Sequence, residues 1–272
     1  MTVSRRAMLS LRTVAVLYLA LLLLLPLAVV FWRTFEHGIG TAWSYMTTPA
    51  AISALWLTIL VALIAVPLNT IFGVGCALVL ARGKTRGRAV LDALIDLPFV
   101  VSPVIVGLAL LLVYGQGGWF GGLFLNNGIR IIYAVPGMVI ATVFVSLPFV
   151  VREVTPVLVE IGDEQEQAAA TLGASSWQTF WRVTLPSIRW GVAYGVVLTT
   201  ARALGEIGAV LVVSSNVPGS TLTLPLLVYQ RDSQIGGQVT TSVYAAATEL
   251  AALSVAVLLV MTLFGSRSEV GR

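Results

Sequence analysis

Apolar residues run along this chain in long blocks separated by short polar connections, with neither strict alternation nor a repeating amphipathic stripe. Six blocks, about 13–31, 54–80, 89–114, 131–151, 190–213 and 244–264, reach or approach the ~20 residues that a helix needs to cross a bilayer. Strands of a membrane barrel would instead be ~10 residues long with alternating polarity. The pattern therefore predicts an all-α polytopic membrane protein with six transmembrane helices, forming a single domain over 1–272. The third block is the least regular, since it holds Asp92, Asp96, Pro98 and Pro103, which places its first turn or two at the interface. The first block follows Arg5, Arg6 and Arg12, as a secretory signal would. Its apolar run exceeds the ~7–15 residues of such a signal and no small-x-small cleavage site follows, so it reads as a retained helix.

One connection is longer than the rest. Residues 153–187 carry Glu153, Glu160, Asp163, Glu164 and Glu166, then a helix-favouring run over 165–172. Gly173 interrupts, and an aromatic run with Trp177, Phe180 and Trp181 leads to Leu185 and Pro186. This predicts a short helix, a turn at Gly173, and a second helix that ends before Pro186. Trp177 and Trp181, four apart, share a face that suits a membrane or protein boundary. A connection of this length with structure of its own is usually functional.

Composition sharpens the picture. The chain is 58% hydrophobic and 10% charged, against roughly a quarter charged in soluble domains. A water-soluble enzyme is excluded. Arg5, Arg6, Arg12, Arg82, Lys84, Arg86, Arg88, Arg152, Arg182, Arg189, Arg267 and Arg272 fall on one side, 12 of the 16 basic residues. Only Arg33, Arg130 and Arg231 fall on the other, and Arg202 lies within a span. The positive-inside rule then puts both termini in the cytoplasm. The single cysteine, Cys76, and the single histidine, His37, belong to no cluster with metal-ligand spacing. Gly83, Lys84 and Thr85 resemble the end of a phosphate-binding loop, but Leu78 stands where that motif needs a glycine. The chain is not an enzyme and binds no cofactor of its own.

Charge inside the apolar blocks is the remaining chemical signal. Arg202 and Glu206, four apart in the fifth block, share a helix face. Unpaired charges in hydrocarbon cost ~2.5–3.5 kcal/mol or more each, so that face points into protein or a hydrated cavity. Two readings stand side by side: a pair that lines or gates a pathway, and a structural ion pair that fixes packing. Pro98 and Pro103 free backbone groups, and Ser102, Ser214, Ser215 and Asn216 offer neutral hydrogen bonds to an anion. The competing readings are a packing kink for the prolines and a cap for 214–216. Gly191 and Gly195 form a G-x-x-x-G, the mark of a close-packing face.

Residues 167–186 carry a family resemblance. Gln167, Ala168, Ala169, three residues, Gly173, nine residues, Val183, Thr184, Leu185 and Pro186 reproduce the spacing of the EAA signature of ABC importer permeases, with Gln167 where that pattern has glutamate. Residues 97–108 (LPFVVSPVIVGL), 203–209 (ALGEIGA), 214–219 (SSNVPG) and 223–225 (TLP) are similar to the sulfate and molybdate permeases of this family, and 226–229 tips the likeness toward the sulfate/thiosulfate branch. The resemblance implies type I ABC importer permease architecture, with cytoplasmic coupling helices. It implies ATPase docking by Glu164, Glu166, Gln167, Ala168, Ala169, Gly173, Leu185 and Pro186. It further implies ABC ATPase subunits that use ATP and Mg, a second homologous permease subunit, and an external sulfate-binding protein. A bacterial inner membrane would be the setting. The alternatives are a molybdate-type permease and an ion-coupled secondary transporter, although no internal repeat of the kind common in that class is evident.

Overall fold

The apolar blocks fold as helices because a segment without water must satisfy its backbone polar groups internally. A computed structural model describes residues 5–83, 87–234 and 240–266, so Lys84, Thr85, Arg86, Arg267 and Arg272 lie outside the described residues. Every regular element among the described residues is helical.

The first helix, α1 (Arg5–Phe35), is followed by a short α2 (Ile39–Met46) and by α3 (Pro49–Arg82). Thr48 starts α3 by accepting the Ala51 N–H at 3.3 Å, with Pro49 in the first turn where its missing N–H costs nothing. The third predicted span is broken. Helices α4 (Arg88–Val100) and α5 (Pro103–Tyr114) meet at 109°. Pro103 forces Ser102 into an extended conformation (φ −58°, ψ 134°), and Val101 follows it (φ −85°, ψ 132°). The irregularity lies in the middle of the block, not only at its first turns.

After α6 (Gly121–Asn126), α7 (Val135–Ile161) starts later and runs ten residues further than the predicted 131–151, carrying the fourth span beyond Arg152. Helix α8 (Glu164–Thr171) and α9 (Ser176–Thr179) form the long connection that follows α7. The helix begun at α9 does not stop before Pro186. It widens into a π-helical turn over Phe180–Thr184, in which Leu185 N–H reaches back to Phe180 O, and continues as α10 (Leu185–Leu204). The wide turn absorbs the ring and the missing donor of Pro186, which would break a regular helix. The predicted fifth span, 190–213, likewise differs: α10 ends at Leu204, Gly205–Ile207 are non-helical, and α11 (Gly208–Val213) follows. Helices α12 (Leu224–Gln234) and α13 (Thr241–Ser266) complete the order. Among the described residues four uninterrupted stretches are long and apolar enough to cross a membrane, Leu11–Phe35, Pro49–Arg82, Val135–Ile161 and Thr241–Met261, and the bent α4–α5 pair, taken as one span, makes a fifth.

Helices α3 and α7 lie side by side as the central pair, with α10 packed on both. Approach is backbone-close: a Cβ on Gly73 would sit 2.7 Å from Val150 Cβ, and one on Gly195 2.9 Å from Val150 Cα. Gly191 and Gly195 therefore face α7, as a close-packing pair. Asn69, fully buried in α3, donates to Val143 O (3.1 Å) and Ser146 Oγ (2.8 Å) of α7. One apolar cluster joins α3, α5, α7, α11 and α12; a second, toward the connection of α8 and α9, joins Val74–Leu80, Ile95, Val150–Leu158 and Ile188. Helix α1 is the opposite case, with its leucines exposed all round and contacts mainly to α2 and α13. An all-apolar exposed helix of this kind is solvated by lipid.

Candidate functional site

The connection between α7 and α10 is built by three local devices. Gly162, at φ +70°, ends α7, and Gly173, at φ +84°, turns the chain after α8, both in a backbone region that glycine adopts without strain. Ser175 then starts α9 with a reciprocal cap: its hydroxyl accepts the Gln178 N–H (3.3 Å) while Gln178 Oε1 accepts the Ser175 N–H (2.9 Å). Trp177, Phe180 and Trp181 stack edge-on, with Trp177 and Trp181 centroids 5.4 Å apart.

The sequence-predicted docking residues divide into two sets. Glu164, Gln167, Ala168, Gly173 and Pro186 are exposed, alongside Leu172 (88% exposed), Trp177 and Trp181. Ala169 and Leu185 are half-buried. Glu166 turns inward. Its carboxylate accepts from Arg82 Nε at 3.1 Å and from Thr184 Oγ1 at 2.9 Å. Arg82 also donates to the carbonyls of Leu158 (2.8 Å) and Gly162 (2.5 Å), satisfying acceptors at the end of α7.

A second constellation lies where the two broken segments meet. Gly208 is so near the bend that a Cβ there would lie 2.8 Å from Pro103 Cβ. Gly107 brings α5 equally close to the Ala209 carbonyl and Val212 of α11. Beside this contact a cavity of about 360 Å³ is lined by residues 98–103, Val145, Phe149 and Arg202. Ser102 is exposed here and makes no capping bond. Arg202 Nη2 lies 2.9 Å from Glu206 Oε2, a charge contact not aligned as a hydrogen bond, and its side chain is 33% exposed. Glu206 is 3% exposed and sits in the helix break, where its Oε1 accepts the Ala209 N–H at 2.8 Å and restarts the helix as α11. The pair holds although Glu206 is past the last helical residue. The cavity therefore presents one guanidinium, partly offset by a buried carboxylate, and the Ser102 hydroxyl.

The structure brings Ser102, Pro103 and Arg202 together, with Glu206 behind them, but not Ser214, Ser215 and Asn216. Those three close a turn: Ser214 Oγ donates to Thr221 O (2.5 Å) and accepts the Asn216 N–H (2.9 Å), and Ser215 Oγ shares a bond with Thr221 Oγ1 (2.6 Å). Asn216 sits at φ +55°. The two hydroxyls are spent locally, while Asn216 Oδ1 is buried without a hydrogen-bond partner.

Several polar residues escape the sequence reading. Arg82 and Arg152 serve there only as orientation charges, yet Arg152 pairs with Asp92 (2.9 Å) and Asp96, tying α7 to α4. Glu249, inside the sixth predicted span, has a buried Oε2 with no hydrogen-bond partner; a lone carboxylate in an apolar run was the available signal. Near it Arg231 donates to Ser242 O (2.8 Å) and Thr48 Oγ1 (3.1 Å), and burial pushes its guanidinium down from the ordinary value while Glu249 opposes this. No group of three or more potential metal ligands occurs among the described residues.

Comparison with known proteins agrees with this arrangement. The profile described as "Binding-protein-dependent transport system inner membrane component" matches residues 69–270. A sulfate transport system permease protein CysW of Synechocystis sp. is 51% identical over 254 residues, 93% of this chain and 91% of that protein. A sulfate transport system permease protein CysT of the same strain is 39% identical over 250 residues, 92% of this chain and 85% of that protein. A chain in the crystal structure of a bacterial ABC transporter involved in the import of the acidic polysaccharide alginate superposes with a TM-score of 0.79 at 17% identity, covering 97% of this chain and 96% of that one.

Proposed function

We propose, for a chain that belongs to the binding-protein-dependent transport system inner membrane component family, that it is the permease subunit of an ATP-driven sulfate importer. The observation that carries this reading is the exposed connection of 167–186, whose EAA-type spacing resolves into two short helices hinged at Gly173. Thiosulfate is a second substrate of the same class. No observation favours the molybdate alternative over these.

In this reading six spans cross a bacterial inner membrane with both termini cytoplasmic, α10 and α11 together making one crossing. The exposed residues Glu164, Gln167, Ala168, Gly173, Leu172, Trp177 and Trp181 meet an ABC ATPase, and Ala169, Leu185 and Pro186 shape that surface. Small residues let the partner surface approach closely, and the apolar and aromatic side chains supply buried area once it docks. ATP and Mg are used by that partner. Two sulfate permeases under different names in one Synechocystis strain, both related to this chain, support a second, homologous permease beside it. The family's description supports an external binding protein that delivers the anion.

Along the path, Ser102 and Arg202 contact the passing oxyanion at the cavity beside the bend, and Glu206 keeps the guanidinium from trapping it. Pro103 holds the bend open. Ser214, Ser215 and Asn216 contribute by fixing the turn that follows α11. The test is uptake of labelled sulfate in a strain lacking this chain, complemented by it, with thiosulfate and molybdate as competitors. Competition by thiosulfate and not molybdate is the expected result. Uptake competed better by molybdate overturns the substrate.

A further inference from the structure

We propose that Arg82 and Glu166 form the joint through which movement of the cytoplasmic connection reaches the spans, so that both are positioning residues for coupling. This rests on the reading that an ATPase docks on residues 164–186.

Helix α8 is attached to the rest of the chain in an unusual way. It has no buried residue, so burial does not hold it. Gly162 and Gly173 flank it at φ +70° and +84°, and an added Cβ at either would meet nothing within 4 Å. They are swivels in open space. Side-chain ties to the spans are therefore decisive, and Glu166 supplies the strongest. Its two carboxylate oxygens engage Arg82 Nε (3.1 Å) and Nη2 (3.4 Å), and Oε1 also takes the Thr184 hydroxyl (2.9 Å). The other tie, Ser187 Oγ to Gln165 Oε1, is 3.4 Å long.

Arg82 stands at the meeting point. It is the last residue of α3, and its Nη1 and Nη2 bind the Leu158 and Gly162 carbonyls that end α7. One guanidinium thus fastens α3, α7 and α8, and Thr184 adds the π-helical turn that leads into α10. Helices α3, α7 and α10 are the ones packed around Val150. Both side chains of the ion pair are 23% exposed, which spares the contact most ionic screening. A planar guanidinium with four hydrogen bonds to three partners has little freedom to slip. A push on α8 is therefore passed to the ends of α3 and α7, not dissipated at the glycines.

The test uses the whole complex in liposomes: this chain, its partner permease, the ATPase and the external binding protein. Basal ATP hydrolysis, its stimulation by sulfate-loaded binding protein, and ATPase copurification are measured for Glu166→Gln, Glu166→Asp, Arg82→Met and Thr184→Val. We expect Glu166→Gln to keep the ATPase bound and lower the stimulation ratio by roughly tenfold, the size of effect that loss of one charge-assisted contact has on a two-state balance. Glu166→Asp should restore part of it, Thr184→Val should lose less, and Arg82→Met combined with Glu166→Gln should be no worse than Arg82→Met alone. An unchanged ratio with the ATPase bound overturns the joint. So does loss of the ATPase from Glu166→Gln alone, since Glu166 would then belong to the docking surface. A wild-type complex that recruits no ATPase instead overturns the functional reading on which the joint rests.

Discussion

At Gly173 the backbone sits at φ +84° with empty space where a Cβ would point. Substitution there is strained by the backbone alone, about 1–2 kcal/mol for a residue that disfavours the left-handed region. Gly173→Val should therefore lower sulfate uptake in complemented cells while leaving membrane insertion intact, whereas Gly173→Asn, which tolerates that conformation, should stay close to wild type. Equal loss in both variants would point to a clash the structure does not contain. Arg202 poses a different problem. Glu206 is 3% exposed, and removing its counter-charge strands a buried carboxylate. That costs on the order of 3–5 kcal/mol for a fully buried pair, and less here because Arg202 is partly solvated. Arg202→Gln should thus lower the melting temperature in detergent, and Arg202→Gln with Glu206→Gln should recover much of it. A double variant as unstable as the single would mean that Glu206 matters mainly as the cap of Ala209.

Three junctions depart from regular helix: the α4–α5 bend and the π-helical turn trace to proline, and the break at 205–207 does not. Pro103 creates the 109° bend by excluding Ser102 from the helix, while glycines at 107 and 208 let α11 nest against the bend. Pro103→Ala should straighten the bend only in part, since the packing of α11 against α5 survives. Gly208→Leu should disrupt it and abolish uptake at normal expression, measured by transport and by immunoblot of membranes. The element scale is also where legibility in the sequence changes. Length and apolarity were enough to locate α1, α3, α7 and α13, because lipid imposes helix on any such block. Bends were not legible: Pro98 and Pro103 look alike in the sequence, yet one lies inside α4 and the other breaks the span. Pro186 reads as a stop and is a continuation, because only the surrounding helix decides whether a wide turn can form. Glu166 reads, through the family resemblance, as part of the docking face; its inward turn depends on Arg82, 84 positions away. Spacing locates the docking connection, and three-dimensional closure alone sorts its outer face from its inner one.

On the scale of the molecule, the proposed function gives the exposed apolar surface of α1 and the exposed aromatic cluster between α8 and α10 different surroundings. The first is matched to lipid; the second, with Leu172 88% exposed, is matched to protein. The chain reconstituted alone into liposomes should therefore bind membranes but move no labelled sulfate, and uptake should appear only on adding the ATPase, the partner permease and the binding protein. Sulfate flux from the purified chain alone would establish a secondary transporter. Trp177→Ala with Trp181→Ala should reduce ATPase copurification without changing the chain's melting temperature, since these rings contact mainly each other and Phe180.

The π-helical turn over Phe180–Thr184 also has a consequence for exchanging parts between relatives. Such a turn holds one more residue than the α-helical path it replaces, so it acts as a one-residue insertion inside an ungapped alignment. A graft of residues 164–186 from a relative that matches every signature position but builds regular helix there would arrive out of phase. Its tryptophans would point roughly 100° away from where Trp177 and Trp181 point here, one residue's rotation about the axis. Chimaeras should accordingly take residues 164–204 from a single parent, so that the loop, the turn and the helix that follows it travel together.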